Sequence, residues 1–250
     1  WMSVLLKKLK ETIANYFCSR MEFGSGVSAP CQKLAWLFKM KFELNPKGLG
    51  FWQDLSNGFN AISRKSIQHG LMDLPESLQW LRRSFEKFYH GQTSLYFKRE
   101  DGELDEVFCE GGINQGDSAS GLFFNVGLMA TWCQLRKEYP EAVLTKYLDD
   151  LNGFVEDPNA MVDVYEPRAE SFPGAYNIPD PSDPSGQAVC SRVKVPFAFA
   201  IIKRWEFLTS TQTGLKAGEM KRGISSVTTA IDPSNFPGVK VVEGLKVCGE

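Results

Sequence analysis

Two adjacent carboxylates at the bend of a short apolar hairpin constrain this chain more than any other feature. The run Lys146-Tyr147-Leu148-Asp149-Asp150-Leu151-Asn152-Gly153-Phe154-Val155 reads as two strands, Ala142 to Tyr147 and Leu151 to Val155, with both acids between them. Val143, Leu144, Leu148, Leu151, Phe154 and Val155 are expected to bury the flanks, while the turn pushes Asp149 and Asp150 out of the sheet. Neighbouring acids raise each other's ionisation cost unless a cation lies close. A hard, oxygen-seeking ion such as Mg²⁺ removes that cost. Taken alone, the pair also fits an ordinary solvated turn, so the stretches arranged around it decide.

With 250 residues, 43% of them hydrophobic, the chain can bury a sizeable core as one large domain or two interlocked subdomains. A formal charge of -2 excludes a global basic field, so nucleic-acid contact has to come from local patches. Lys7, Lys8, Lys10, Arg82, Arg83, Lys203 and Arg204 are the candidates. The six cysteines include no C-x-x-C pair, and His69 and His90 are the only histidines, so the spacing of a structural zinc site is missing. Reduced, mostly buried thiols in an intracellular protein are expected. No apolar run has the length of a bilayer span and no signal-peptide pattern opens the chain, which implies a soluble protein with no membrane partner. The ends at Trp1 and Glu250 carry no boundary signal, so a segment of something longer is expected. Oligomeric state is not legible.

Taken in order, Val4 to Phe17 has the spacing of an amphipathic helix, and a second helix is predicted from about Gln32 to Phe42. Asn45-Pro46-Lys47-Gly48 marks a turn, after which Leu49 to Leu55 reads as a buried strand with Asp54 at its exposed end. Ser56 to Asn60 leads into a helix running past Ile67, for which Asp54 or Ser56 is a candidate cap. Glu76 to Tyr89 is predicted helical with Leu78, Leu81, Phe85 and Phe88 inward. Thr93 to Lys98 and Leu104 to Cys109 alternate around an Asp-Gly hairpin signal. A glycine-rich loop, Gly111 to Ser118, opens onto a long apolar helix. It can present backbone N–H groups to an anion, but lacks the Lys-Ser/Thr ending of a Walker loop. Between Glu156 and Pro196 the prolines, Asp, Ser and Gly predict a disordered or irregular excursion. A helix from Phe197 to Thr209, then a turn and short strand over Gly214 to Lys221, follow it.

Strand, helices, hairpin, helix, strand is close to a split βαβ layout, in which the first strand lies beside the later hairpin and brings Asp54 next to Asp149. Two divalent ions held roughly 3.5–4 Å apart by such a cluster serve in-line phosphoryl displacement.

At this point a family resemblance appears. Asp54-Leu55-Ser56-Asn57-Gly58-Phe59-Asn60, Gly112-Ile113-Asn114-Gln115-Gly116-Asp117, Phe124-Asn125 and Tyr147-Leu148-Asp149-Asp150 resemble, in order, the palm motifs of reverse transcriptases of the non-LTR retrotransposon type. Gly214-Leu215 with Lys221, and Phe23-Gly24-Ser25-Gly26, are similar to flanking motifs. Gly58 stands where alanine is usual, and Ser118-Ala119 where Pro-Leu is usual.

The resemblance implies an α+β polymerase palm, a ferredoxin-like sheet with helices on one face, with partial fingers. On that layout residues 1–45 are partial fingers helices, 46–64 and 112–230 the palm, 65–111 a fingers/palm helix and hairpin, 156–196 a Pro-rich disordered insertion and 231–250 the start of a thumb or connection. It implies Asp54, Asp149 and Asp150 as catalytic acids holding two Mg²⁺ ions, with Mn²⁺ as a substitute. Lys221 is implied as proton donor or charge partner for pyrophosphate, and Leu55, Phe59, Gln115 and Gly116 as nucleotide-binding positions. Phe59 would sit under the incoming sugar and favour deoxynucleotides. The implied partners are an RNA template, a DNA primer and deoxynucleoside triphosphates. Alternatives are a truncated or decayed palm that binds RNA without activity, and an RNA-templated RNA polymerase.

Overall fold

The strand β1 (Leu49–Ser56) is the middle of the main sheet, because Leu49, Phe51, Gln53 and Leu55 all face a packed interior and none is more than 1% exposed. The computed structural model describes residues 2–89, 91, 93–109, 111–166, 176–179 and 189–242. β1 runs antiparallel to β5 (Asp150–Val155) on one side and to β9 (Lys216–Ser225) on the other. β4 (Val143–Tyr147) pairs antiparallel with β5, and β10 (Lys240–Val241) joins β9 in parallel. Numbering β1, β4, β5 and β9 first to fourth along the chain, their spatial order is 4-1-3-2. That is the ferredoxin-like arrangement, reached by two crossover helices.

The first crossover helix, α7 (Ser120–Glu138), links β1 to β4, and the second, α8 (Phe197–Thr213), links β5 to β9. Their apolar residues meet at Trp132 and Trp205, whose rings cross edge to face at 6.1 Å. The α+β palm-type sheet expected from the motifs is therefore present. Around it lie α1 (Met2–Lys8), α2 (Lys10–Cys18), α3 (Pro30–Leu44), α4 (Gly58–Ala61), α5 (Arg64–Met72), α6 (Trp80–Tyr89) and the ribbon of β2 (Thr93–Lys98) and β3 (Leu104–Cys109). α5 lies against α7 so closely that Gly70 sits under the Val126 carbonyl, where a Cβ would be 2.2 Å from that oxygen.

Several expectations need correction. The N-terminal helix is two, since Leu9 leaves helical geometry (φ −99°, ψ 8°). The helix after Asn57 breaks at Ile62, because tertiary partners take the local backbone groups: Ser63 N–H donates to Thr213 and Ile62 C=O accepts from Gly112. Neither Asp54 nor Ser56 caps it; Asn57 takes the N-cap place without a side-chain bond. Phe88 is exposed, because Leu81, Phe85 and Tyr89 form the inward row of α6. Cys18, Cys31 and Cys133 are free but exposed, and Cys109 is half-buried, so the thiols described are not core residues; Cys248 and His90 lie outside the described residues.

The excursion after Glu156 is not irregular throughout. β6 (Met161–Glu166), β8 (Val189–Pro196) and β7 (Tyr176–Pro179) form a three-stranded antiparallel sheet in the order β6-β8-β7. Val162 and Val164 pair with Val195 and Val193, an alternation that overrides the polar composition around it. Phe197 N–H donates to Ala160 C=O at 2.8 Å, so this sheet departs from the chain and returns to it at one place. Residues 167–175 and 180–188 of the stretch, and 243–250 at the C-terminal end, lie outside the described residues. Among the described residues no helix is long and apolar enough to cross a membrane.

Candidate active site

Pairing of Tyr147 with Asp150 leaves Leu148 and Asp149 alone at the tip of the β4–β5 hairpin. Leu148 has φ 52°, a left-handed backbone that costs a non-glycine residue free energy and that turns of this kind usually give to glycine or asparagine. Asp150 corrects the sequence expectation: it is the first residue of β5, only 8% exposed, and is not pushed out of the sheet. Carrying the β1–β5 register one residue past Gln53 opposite Leu151 sets Asp54 across from Asp150, on the same side of the sheet.

Asp54 is likewise buried rather than at an exposed strand end. The β1–β9 register slips at this point, the partner changing from Arg222 at Gln53 to Ala217 at Leu55. Such irregularities re-aim side chains beside active sites. Lys221, in the slipped stretch, places its ammonium 2.8 Å from Asp54 Oδ2, and this contact raises the lysine's pKa. Burial raises the Asp149 carboxyl above its ordinary range; its own backbone N–H works the other way, and the charge of Asp54 and a hydrogen bond between the two carboxyls push it further up. Asp54 and Asp149, far apart in sequence, are thus in contact. No group of three or more His, Cys, Asp or Glu side chains is placed to hold a metal ion among the described residues. The oxygen-only donor set nonetheless has the chemistry of a hard cation site.

Phe59 follows Gly58 on α4 at the edge of this corner, its ring stacked on Phe124 of α7 at 4.8 Å. Gly58 lets it approach: a Cβ there would come 2.9 Å from the Phe124 ring and 3.6 Å from Asp149 Cβ. An alanine at this position would crowd this packing. Leu55 is a core residue whose backbone pairs with Ala217 of β9, so its side chain faces the interior and not the site. Gln115 and Gly116 are exposed on the glycine-rich loop, Gly116 at φ 98° with open space around it.

That loop is stitched to α4. Ile113 N–H donates to Phe59 C=O at 2.8 Å, and Gly112, at φ 64°, packs directly on the Asn60 backbone. Two residues not marked by the sequence reading hold its flanks. Arg64 donates to the carbonyls of Gly112 at 2.9 Å and Cys109 at 3.2 Å. The Tyr89 hydroxyl donates to Asp117 at 2.9 Å and accepts from Asn114 N–H, and burial together with Asp117 pushes its phenol up to about 12.

A third unmarked residue lies under the turn. Lys146 is fully buried, and its ammonium donates to Asn125 Oδ1 and to Leu148 C=O at 3.0 Å, with Glu22 Oε1 at 3.8 Å. Burial pulls the lysine's pKa down and pushes that of Glu22 up, each opposed by the other's charge. The signal was parity: Lys146 shares a strand face with buried Leu144.

No family model matches the chain. It is 27% identical over 196 residues to the retrotransposable element SLACS 132 kDa protein of Trypanosoma brucei gambiense, covering 78% of this chain and 16% of that protein. Among solved structures it is similar to apo telomerase of Candida tropicalis truncated from its C-terminal domain (11% identity, 61% of this chain, 32% of that one, TM-score 0.43). Telomerase of Candida albicans in complex with a fragment of telomeric RNA is a second (16% identity, 63% and 30%, TM-score 0.44). Both structural likenesses are partial, and the fold assignment rests on the sheet order itself. With its motifs in register on a palm-type sheet and a retroelement protein as relative, the chain resembles a reverse transcriptase domain of the non-LTR retrotransposon type.

Proposed function

We propose that this chain is the palm-bearing part of an RNA-directed DNA polymerase, adding deoxynucleotides to a primer on an RNA template. The observation that carries this reading is the meeting of Asp54, on β1, with Asp149, at the tip of the β4–β5 hairpin, beside the start of α4. Asp54 and Asp149, supported by Asp150, would hold Mg²⁺, or Mn²⁺ in its place. When bound, such ions activate the primer hydroxyl and steady the leaving pyrophosphate. Lys221, already cationic beside Asp54, is the residue to neutralise or protonate pyrophosphate. Phe59 restricts the space under the sugar, where a 2′-hydroxyl distinguishes ribo- from deoxynucleotides. Gln115 and Gly116 line the nucleotide and template side from a loop fixed by Arg64 and Tyr89. On this reading residues 46–64 and 112–230 are palm and the N-terminal helices a part of the fingers.

The test is primer extension with Mg²⁺ on an RNA template, using the chain and any longer polypeptide that contains it. Asp149→Asn is expected to lower extension by more than the roughly 100-fold that outer-shell changes reach. Phe59→Val should raise ribonucleotide incorporation relative to deoxynucleotide. Extension that survives Asp149→Asn refutes the proposal. One observation favours a second reading, an RNA-binding palm without catalysis: Lys221 already neutralises Asp54. Salt-sensitive RNA binding with no extension in either polypeptide would select it.

A further inference from the structure

Lys146 uses no solvent. Its ammonium donates to the Asn125 amide oxygen and the Leu148 carbonyl, and the Glu22 carboxylate stands at ion-pair distance, 3.8 Å away. Each belongs to a different part of the chain. Asn125 lies on α7 and passes the network on, its amide donating to Ser25 Oγ at 2.7 Å. Glu22 lies in the segment between α2 and α3, which runs beside β4: Phe23 N–H donates to Lys146 C=O and Lys146 N–H to Met21 C=O. Gly24 N–H donates to Glu22 Oε1 at 2.6 Å. A Cβ on Gly24 would come 2.7 Å from that oxygen and 2.8 Å from Leu148 N, so only glycine lets this segment lie on the turn. Leu148 C=O belongs to the residue whose left-handed backbone aims Asp149.

We propose that Lys146 is a positioning residue, whose buried ammonium grips the Leu148 carbonyl and keeps the turn in the left-handed shape that presents Asp149, with Glu22 and Asn125 holding the ammonium in place. The catalytic meaning of this rests on Asp149 being a metal-holding acid; the geometry of the turn does not. A buried charge left without its partner destabilises a fold, whereas removal of both partners is often tolerated. Glu22→Gln/Lys146→Met therefore separates folding from positioning.

The experiment measures backbone hydrogen exchange across residues 147–150, and Mn²⁺ binding by electron paramagnetic resonance, in the unaltered chain and in the double variant. In the folded double variant, exchange at Asp149 should quicken and Mn²⁺ affinity fall, each by about 10-fold, the lower end of what second-layer changes cost a metal site; the Leu148 amide is left out because it also donates to the Glu22 carboxylate. Adding Leu148→Asn, a residue that tolerates the left-handed region, should recover part of both. Unchanged exchange in the folded double variant overturns the proposal. Should that variant not fold, a crystal structure of the unaltered chain decides: Lys146 Nζ beyond hydrogen-bond reach of Leu148 oxygen overturns it, and within reach supports it. Failure of the polymerase reading looks different: Asp149→Asn then leaves Mn²⁺ binding as it was, while exchange still reports on Lys146.

Discussion

Tyr89 shows how one hydroxyl can fix a loop. It bridges Asp117 and the Asn114 amide, and its pKa of about 12 means that the folded chain holds the phenolic proton more tightly than the unfolded chain does. The stabilisation is complete below the unfolded value near 10, shrinks as pH rises past it and is gone above about 12. Between those limits the unaltered chain should lose stability that Tyr89→Phe keeps, read in denaturant titrations. At neutral pH the same substitution should cost about 1 kcal/mol, the net worth of a hydrogen bond. Neither Tyr89 nor Arg64 can be picked out by reading along the chain, because their partners lie some tens of residues away and nothing local marks them. Asp54 and Asp149 are legible through the motifs in which they stand, because an acid at a turn or strand end taken alone fits an ordinary cap or solvated turn. Lys146 reads as a surface charge until strand parity puts it with Leu144, and its meeting with Glu22 depends on a parallel bridge no local pattern encodes.

Between elements, small residues set the distances. α5 lies against α7 through Gly70, and a methyl group there would meet the Val126 carbonyl, which is backbone and cannot turn aside. Gly70→Ala should destabilise by about 1–3 kcal/mol, read as a lower denaturant midpoint with an unchanged slope. Helix and strand periodicity disclosed most elements near the site, including β1, the β2–β3 ribbon, α7 and the hairpin. It misjudged those whose ends are decided elsewhere. The break at Ile62 follows from bonds to Thr213 and Gly112, and β6 and β8 were hidden because their valine alternation sits among prolines and acids.

For the molecule as a whole, the contact of α7 with α8 closes the layer beneath the sheet. Trp132 is fully buried, crosses Trp205 and donates its indole N–H to Arg20 C=O at 2.6 Å, joining both helices to the N-terminal segment. Trp132→Ala should cost about 3–5 kcal/mol. Against a typical total of roughly 5–15 kcal/mol that is a large share, read as a lower thermal midpoint by circular dichroism. The first strand's place beside the hairpin was legible in the succession of strand, helices, hairpin, helix and strand, and the full 4-1-3-2 order is that of the ferredoxin-like sheet which the motif resemblance implied. The junction where Phe197 meets Ala160 has a consequence of its own. A side branch that enters and leaves by one doorway lets the polypeptide gain or lose length there without altering the span from β5 to α8, so evolution can rewrite that branch while the acids keep their station.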